Sequence, residues 1–264
     1  MWTRALLKQN AKSALTGRYW QAFLVCLVAS IFGVSGVSRQ ALIQLRGTID
    51  GWKDFENRDV WTGNNPTNGY EAFLHEYSDA LGLVAGVVVA ILVVSIVIAV
   101  CWQLFLVSPL QVGRARFMME NRQGSAPFGS LFSTFRPSYM NLVNVSFFTG
   151  LKIGLGSLII VPGILWHYEY YLVPYLLAEN PYLTPRRAME LSRDMMDGEK
   201  WKTFVLELSF IGWLLLCGLT LGIGLYFLEP YYQATMAELY AALRSKALAN
   251  GLSSESELGG FMRY

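Results

Sequence analysis

Residues 158–213 read LIIVPGILWHYEYYLVPYLLAENPYLTPRRAMELSRDMMDGEKWKTFVLELSFIGW. An apolar run meets Pro162-Gly163, a second apolar run follows, and a basic amphipathic segment closed by Gly198 leads into a third. Apolar runs joined by a Pro-Gly turn or a short basic connection are the pattern of membrane spans. Composition agrees along the whole chain. Of 264 residues, 53% are hydrophobic and 15% charged, with mean hydropathy +0.35, where soluble domains carry about 25% charged residues. The expected class is all-α: a polytopic membrane protein with one domain over 1–249 and a polar, frayed C-terminal tail over 250–264.

Working outward, six transmembrane helices are expected, over about 21–37, 80–107, 138–161, 164–177 and 203–216, and from 219 past Pro230. Pro162-Gly163 is the expected turn between the third and fourth, and Pro174 an expected kink. Gly82 and Gly86 make a GxxxG that permits close helix approach. Interfacial amphipathic helices are expected before spans 1, 3 and 5. In the first, Arg4, Lys8 and Lys12 share one face. In the second, Phe128, Leu131, Phe132 and Phe135 fall at i, i+3, i+4 and i+7. The third opens on Thr184-Pro185, a hydroxyl N-cap followed by proline, and carries Ala188, Leu191 and Met195 as its apolar stripe. The stretch 38–79 holds seven acidic residues and six aromatic ones, and reads as an extracytoplasmic loop packed as a cap.

Lys and Arg decide orientation. Four precede span 1, four lie in 108–137 and five in 184–202. These segments, and with six spans both termini, are expected on the cytoplasmic side. There they would meet the bilayer and anionic lipid headgroups, or dock a membrane protein partner; beside spans they do not read as nucleic-acid contacts. Cys26, Cys101 and Cys217 all fall in apolar runs and read as buried free thiols.

One motif occurs twice. Gly17-x-x-Trp20-x-x-Phe23 and Gly198-x-x-Trp201-x-x-Phe204 each follow a basic amphipathic segment and each lead into a span. Glycine ends the helix, tryptophan sits at the headgroups and phenylalanine begins the apolar run. Three units are expected, each an interfacial helix followed by a two-span hairpin.

The same residues carry a family likeness. The opening basic helix with Gly17-x-Tyr19-Trp20, Ile160-Val161-Pro162-Gly163-Ile164 with Tyr171, and Asn180-Pro181 followed by Ala188, Ser192, Met196 and Gly198 belong to it. So do Leu208-Ser209-Phe210-Ile211-Gly212-Trp213, Thr220-x-Gly222-Ile223-Gly224, and Pro230-Tyr231 with Thr235 and Tyr240. Together they resemble the bacterial integral membrane proteins catalogued as domain of unknown function 975. The resemblance covers nearly the whole chain except 38–79. It implies a multi-span helical protein of the bacterial cytoplasmic membrane, and brings no catalytic residue or cofactor.

Ionisable groups inside spans are functional candidates, and Lys152, Glu169, Glu207 and Glu229 are the four here. Across a turn at Pro162-Gly163, Lys152 and Glu169 differ in depth by about 5 Å, so they are expected to pair, as a structural ion pair or as part of a transport site. Glu207 sits about one and a half turns into span 5, and Glu229 before Pro230 marks a candidate broken helix. No catalytic, cofactor-binding or metal motif is present; His167 between Trp166 and Tyr168 reads as part of an aromatic belt. The expected function is non-catalytic: a transporter-like protein or a membrane partner subunit. The alternative is a lipid-handling or lipid-modifying enzyme with its site under 38–79.

Overall fold

The computed structural model describes residues 2–33, 67–135, 138–220 and 222–259, and among these every regular element is helical. The chain falls into two compact units: 38–103, and 1–37 together with 104–264. Residues 34–66, with the tip of the expected loop, lie outside the described residues.

In the smaller unit α3 runs Thr67–Trp102, 36 residues. The helix therefore begins well inside the stretch expected as loop. After Pro66 the sequence lacks proline and offers Glu71, Ala72, Leu74 and Glu76, good helix formers that let the apolar run propagate backwards. Residues 85–102 are exposed on every side, and a Cβ at Gly86 would meet nothing within 4 Å. Cys101 is exposed with its neighbours, whereas Cys26 and Cys217 are buried thiols.

The larger unit opens with α1 (Arg4–Leu15), capped by the Thr3 hydroxyl, which accepts from the Leu6 N–H. Leu7, Ala11 and Leu15, at successive i+4 positions, are its buried stripe. Gly17 takes φ 75° and α2 (Tyr19–Ile31) leaves at 100°. A π-helical turn at Gln103–Val107 precedes α4 (Ser108–Gln123). Phe117, Met118 and Leu110 of α4 are fully enclosed, so α4 is a core helix.

The expected interfacial α-helix before span 3 is instead a 3₁₀ turn of five residues, Phe128–Phe132. Pro127 fixes its start, and Pro137 bounds the segment, leaving no room for the turns that would exploit the i, i+3, i+4 pattern. Leu131 is driven against α4 at Gly113, while Phe128, Phe132 and Phe135 stay outside.

A helical hairpin follows, α5 (Tyr139–Ser157) and α6 (Ile160–Glu169). Its turn is at Leu158-Ile159, not at Pro162-Gly163. Pro162 occupies the first turn of α6, where its missing N–H costs nothing. Gly163 lets α6 lie on α5: a Cβ there would stand 2.7 Å from the Ser157 Cα, and one at Gly156 would meet the Trp166 ring at 2.3 Å. Likewise Pro174 does not kink a helix; it starts one. After the turn at 170–172, α7 (Val173–Glu179) carries it in the first turn.

Thr184 caps α8 (Pro185–Met195), and Ala188, Leu191 and Met195 are buried as their spacing requires. Gly198, at φ 70°, leads to α9 (Lys200–Leu208), then α10 (Ile211–Leu219), and Gly222 at φ 85° turns the chain into α11 (Gly224–Ala249). Pro230 lies inside α11 without ending it, so no broken helix occurs at Glu229. The discontinuity falls at Ser209-Phe210, beside Glu207.

Among the described residues two helical runs are long and apolar enough to cross a membrane, Ala85–Gln123 and Lys200–Leu219; a third counts if the bent pair Arg4–Leu15 with Tyr19–Ile31 is one span. The hairpin ends carry bare apolar side chains, with Leu158 81% and Leu219 82% exposed. Burial, by contrast, is concentrated on α4, α7, α8 and α11 and on the inward faces of α1 and α2.

Over 250–259 the chain beyond α11 does not fray. Gly251 at φ 69° reverses it, and Leu252 N–H donates to Ala247 C=O at 3.0 Å. Leu258 is fully buried and Glu257 takes two bonds from Arg187, at 2.8 and 2.9 Å. The Arg187 hydrogen bonds hold the Glu257 carboxyl below the usual carboxylate range, burial opposes this and the Ser253 hydroxyl assists. A depressed folded pKa contributes stability above the unfolded value of about 4.3, and that contribution is lost as pH falls through the folded pKa. Residues 251–259 are therefore expected to gain amide-exchange and protease sensitivity below about pH 4, relative to the rest of the chain. Glu257→Gln should show the same release at neutral pH.

Candidate intramembrane polar site

α11 organises the polar side chains of the larger unit. Glu229, Gln233, Tyr240 and Arg244 lie at i, i+4, i+11 and i+15, one helix face. The Glu229 carboxylate meets the Arg114 guanidinium at 2.8 Å and accepts from the Gln233 amide at 2.9 Å. Farther along, the fully enclosed Glu179 accepts from Arg244 Nε at 2.8 Å and from the Tyr240 hydroxyl at 2.6 Å. Glu238 receives Arg122 through two bonds, at 2.6 and 3.2 Å. Each acid in this column is neutralised by an arginine from a distant part of the chain.

Glu207 differs. It is the penultimate residue of α9, at the break before α10, and its two oxygens accept from Tyr168 at 2.6 Å and Tyr232 at 2.9 Å. The Tyr171 and Tyr232 hydroxyls are 3.2 Å apart, extending the cluster, and the His167 ring packs on Tyr168 and Tyr171. Among the described residues no cation pairs with this carboxylate. Each oxygen thus accepts one hydroxyl hydrogen bond, and unlike the arginines of the α11 column these donors bring no positive charge.

The expected Lys152–Glu169 pair is not formed. Glu169 takes Lys200 Nζ at 2.7 Å, and Lys152 stands over the Tyr170 ring at 5.6 Å. With the hairpin turning at Leu158-Ile159, Lys152 stands level with about Leu165 rather than with Glu169, and an aromatic face, not a carboxylate, meets its ammonium group.

The two G-x-x-W-x-x-F corners are alike in detail. Gly17 and Gly198 share a left-handed φ. Trp20 is 67% and Trp201 72% exposed, and each packs on the phenylalanine three residues on, with ring centroids 5.6 and 5.3 Å apart. The middle segment has no such corner.

A family model described as a protein of unknown function, DUF975, matches residues 77–247. The chain belongs to this family. Its matched region contains all four intramembrane candidates and the second corner, but not the first. No curated protein and no solved structure matches the chain. As a DUF975 protein it inherits no activity, and its polar clusters must be read for themselves. Sequence reasoning singled out Glu207 and Glu229 but missed Arg114, Glu179 and Arg244. Arg114 sits alone between Gly113 and Ala115, an arginine amid small residues directly after a span; that was the available signal.

Proposed function

We propose that this chain is a six-span protein of the bacterial cytoplasmic membrane, with both termini and the basic segments inside, acting without covalent chemistry as a transporter-like protein for protons or a small cation. The observation that carries this reading is Glu207: a carboxylate within an apolar run, at a helix discontinuity, held by two tyrosine hydroxyls and no described cation. Discontinuous helices and uncompensated intramembrane acids are what ion-coupled transport uses. The six would be α2, α3, α5, α6 with α7, α9 with α10, and α11; the last four, at about 1.5 Å per residue, are comparable in length with a bilayer core of about 30 Å. The corner tryptophans suit headgroup level. A partner-subunit reading draws on α3, apolar and exposed on all sides.

In proteoliposomes with a pH-sensitive dye, a gradient-driven proton or monovalent-cation flux is expected above that of empty vesicles, and Glu207→Gln should cut it at least about tenfold, the scale of a lost essential charge. Absence of flux, or flux unchanged by the substitution, overturns the transport reading and favours the partner subunit. Orientation is checked in cells on a background without native cysteines. Asn65→Cys should react with an impermeant thiol reagent and Asp197→Cys should not; the reverse would refute the assignment of sides.

A further inference from the structure

A cleft of about 550 Å³ opens between the end of α8, the start of α9 and the end of α11. Its floor is apolar and buried, formed by Met195, Leu243 and Ala247. Its charged lining is balanced in sign: Arg193, Lys200 and Lys246 against Glu169, Asp194 and Asp197. The volume falls within the range of small-molecule sites, about 300–1,000 Å³.

Lys200 and Lys246 are each held in place by a carboxylate, Glu169 at 2.7 Å and Glu199 at 2.8 Å. Asp194 and Asp197 stand exposed at the end of α8 and in the turn after it, where the last helix carbonyls add negative charge. A plain anion would face three carboxylates here, and a plain cation three basic groups. A molecule with a phosphate at one end and a protonated amine at the other offers a partner to each sign. Trp201, which follows Lys200 in the chain, is exposed and suits the membrane–water boundary.

We infer that this cleft binds a zwitterionic phosphate–amine headgroup, that of a phosphatidylethanolamine-type lipid, with the phosphate toward Lys200 and Lys246 and the ammonium toward Asp194 and Asp197. A quaternary ammonium has no N–H to donate to these carboxylates, so phosphocholine fits less well. The inference rests on the reading of α8 as an interfacial helix, and is independent of transport through Glu207.

The test is lipid retention by native mass spectrometry of the whole protein, exchanged into detergent doped with phosphatidylethanolamine, phosphatidylcholine or phosphatidylglycerol. The wild type should favour the ethanolamine lipid about tenfold over both others. Asp194→Asn with Asp197→Asn, both exposed positions, should erase that preference while the thermal unfolding temperature stays put. If that double variant is unstable, Asp194→Asn alone should still lower the preference several-fold. Equal retention of the three lipids, or a preference untouched by the substitutions, overturns the site. Binding of free O-phosphoethanolamine without retention of the lipid overturns the lipid assignment and leaves a solute site. A failed orientation experiment registers separately, in labelling of Asp197→Cys from outside.

Discussion

Arg244→Met is expected to cost about 3–5 kcal/mol of folding stability, the scale of a broken buried ion pair. Arg244 is 4% exposed and Glu179 not at all. Arg244 bonds both the Glu179 carboxylate and the carbonyl of Leu258, so its loss strands an acid in the core and frees the docked C-terminal turn together. The Tyr240 hydroxyl stays on Glu179, but one neutral donor cannot offset a buried charge. Glu179→Gln should also be costly, because it leaves the buried Arg244 guanidinium without its counter-charge. The double variant Glu179→Gln with Arg244→Met should be more stable than Arg244→Met alone. Denaturant or thermal unfolding in detergent measures all three. Strictly additive losses would mean that the two residues are not coupled in the folded protein.

Gly113→Ala is expected to be the most damaging one-carbon change. A Cβ at 113 would stand 1.9 Å from the Leu131 carbonyl oxygen and 2.7 Å from its carbon. The obstacle is backbone, so no rotamer change relieves it, and the 3₁₀ turn must leave α4. Overpacking of a core costs about 1–3 kcal/mol, more where the backbone must move. Leu131 is fully buried and Thr134 hydroxyl donates to the Pro109 carbonyl at 2.9 Å, so detachment exposes the first and breaks the second. Gly86→Ala is the matched control: its Cβ would meet nothing within 4 Å, and in a helix the change should be neutral or stabilising by up to about 1 kcal/mol. Thermal unfolding of both variants separates them. Equal effects would show that Leu131 does not bear on Gly113.

The helices, their caps and their punctuation were readable along the chain because they are local. Thr3 and Thr184 are near the backbone N–H groups they cap, the apolar stripe of α8 repeats with the helix period, and Gly17 and Gly198 end their helices in the one conformation that disfavours other residues. The same local reasoning misplaced the hairpin turn. Pro162-Gly163 is a turn signal when taken alone, yet proline also fits the first turn of a helix and glycine also fits a helix crossing, and packing of α6 on α5 selected those uses.

Charge pairing was legible only as a set of candidates. Composition and spacing identified Glu169, Glu207 and Glu229 as costly acids in apolar surroundings. Their partners, Lys200, the Tyr168–Tyr232 pair and Arg114, lie from 25 to 115 residues away. Sequence alone thus determined an all-helical chain with apolar runs, basic connecting segments and two matching corners. Tertiary structure decided which acids are neutralised and which one, Glu207, is held by hydroxyls, because an ion pair forms wherever packing brings charges within a few ångströms and separation along the chain does not enter that energy.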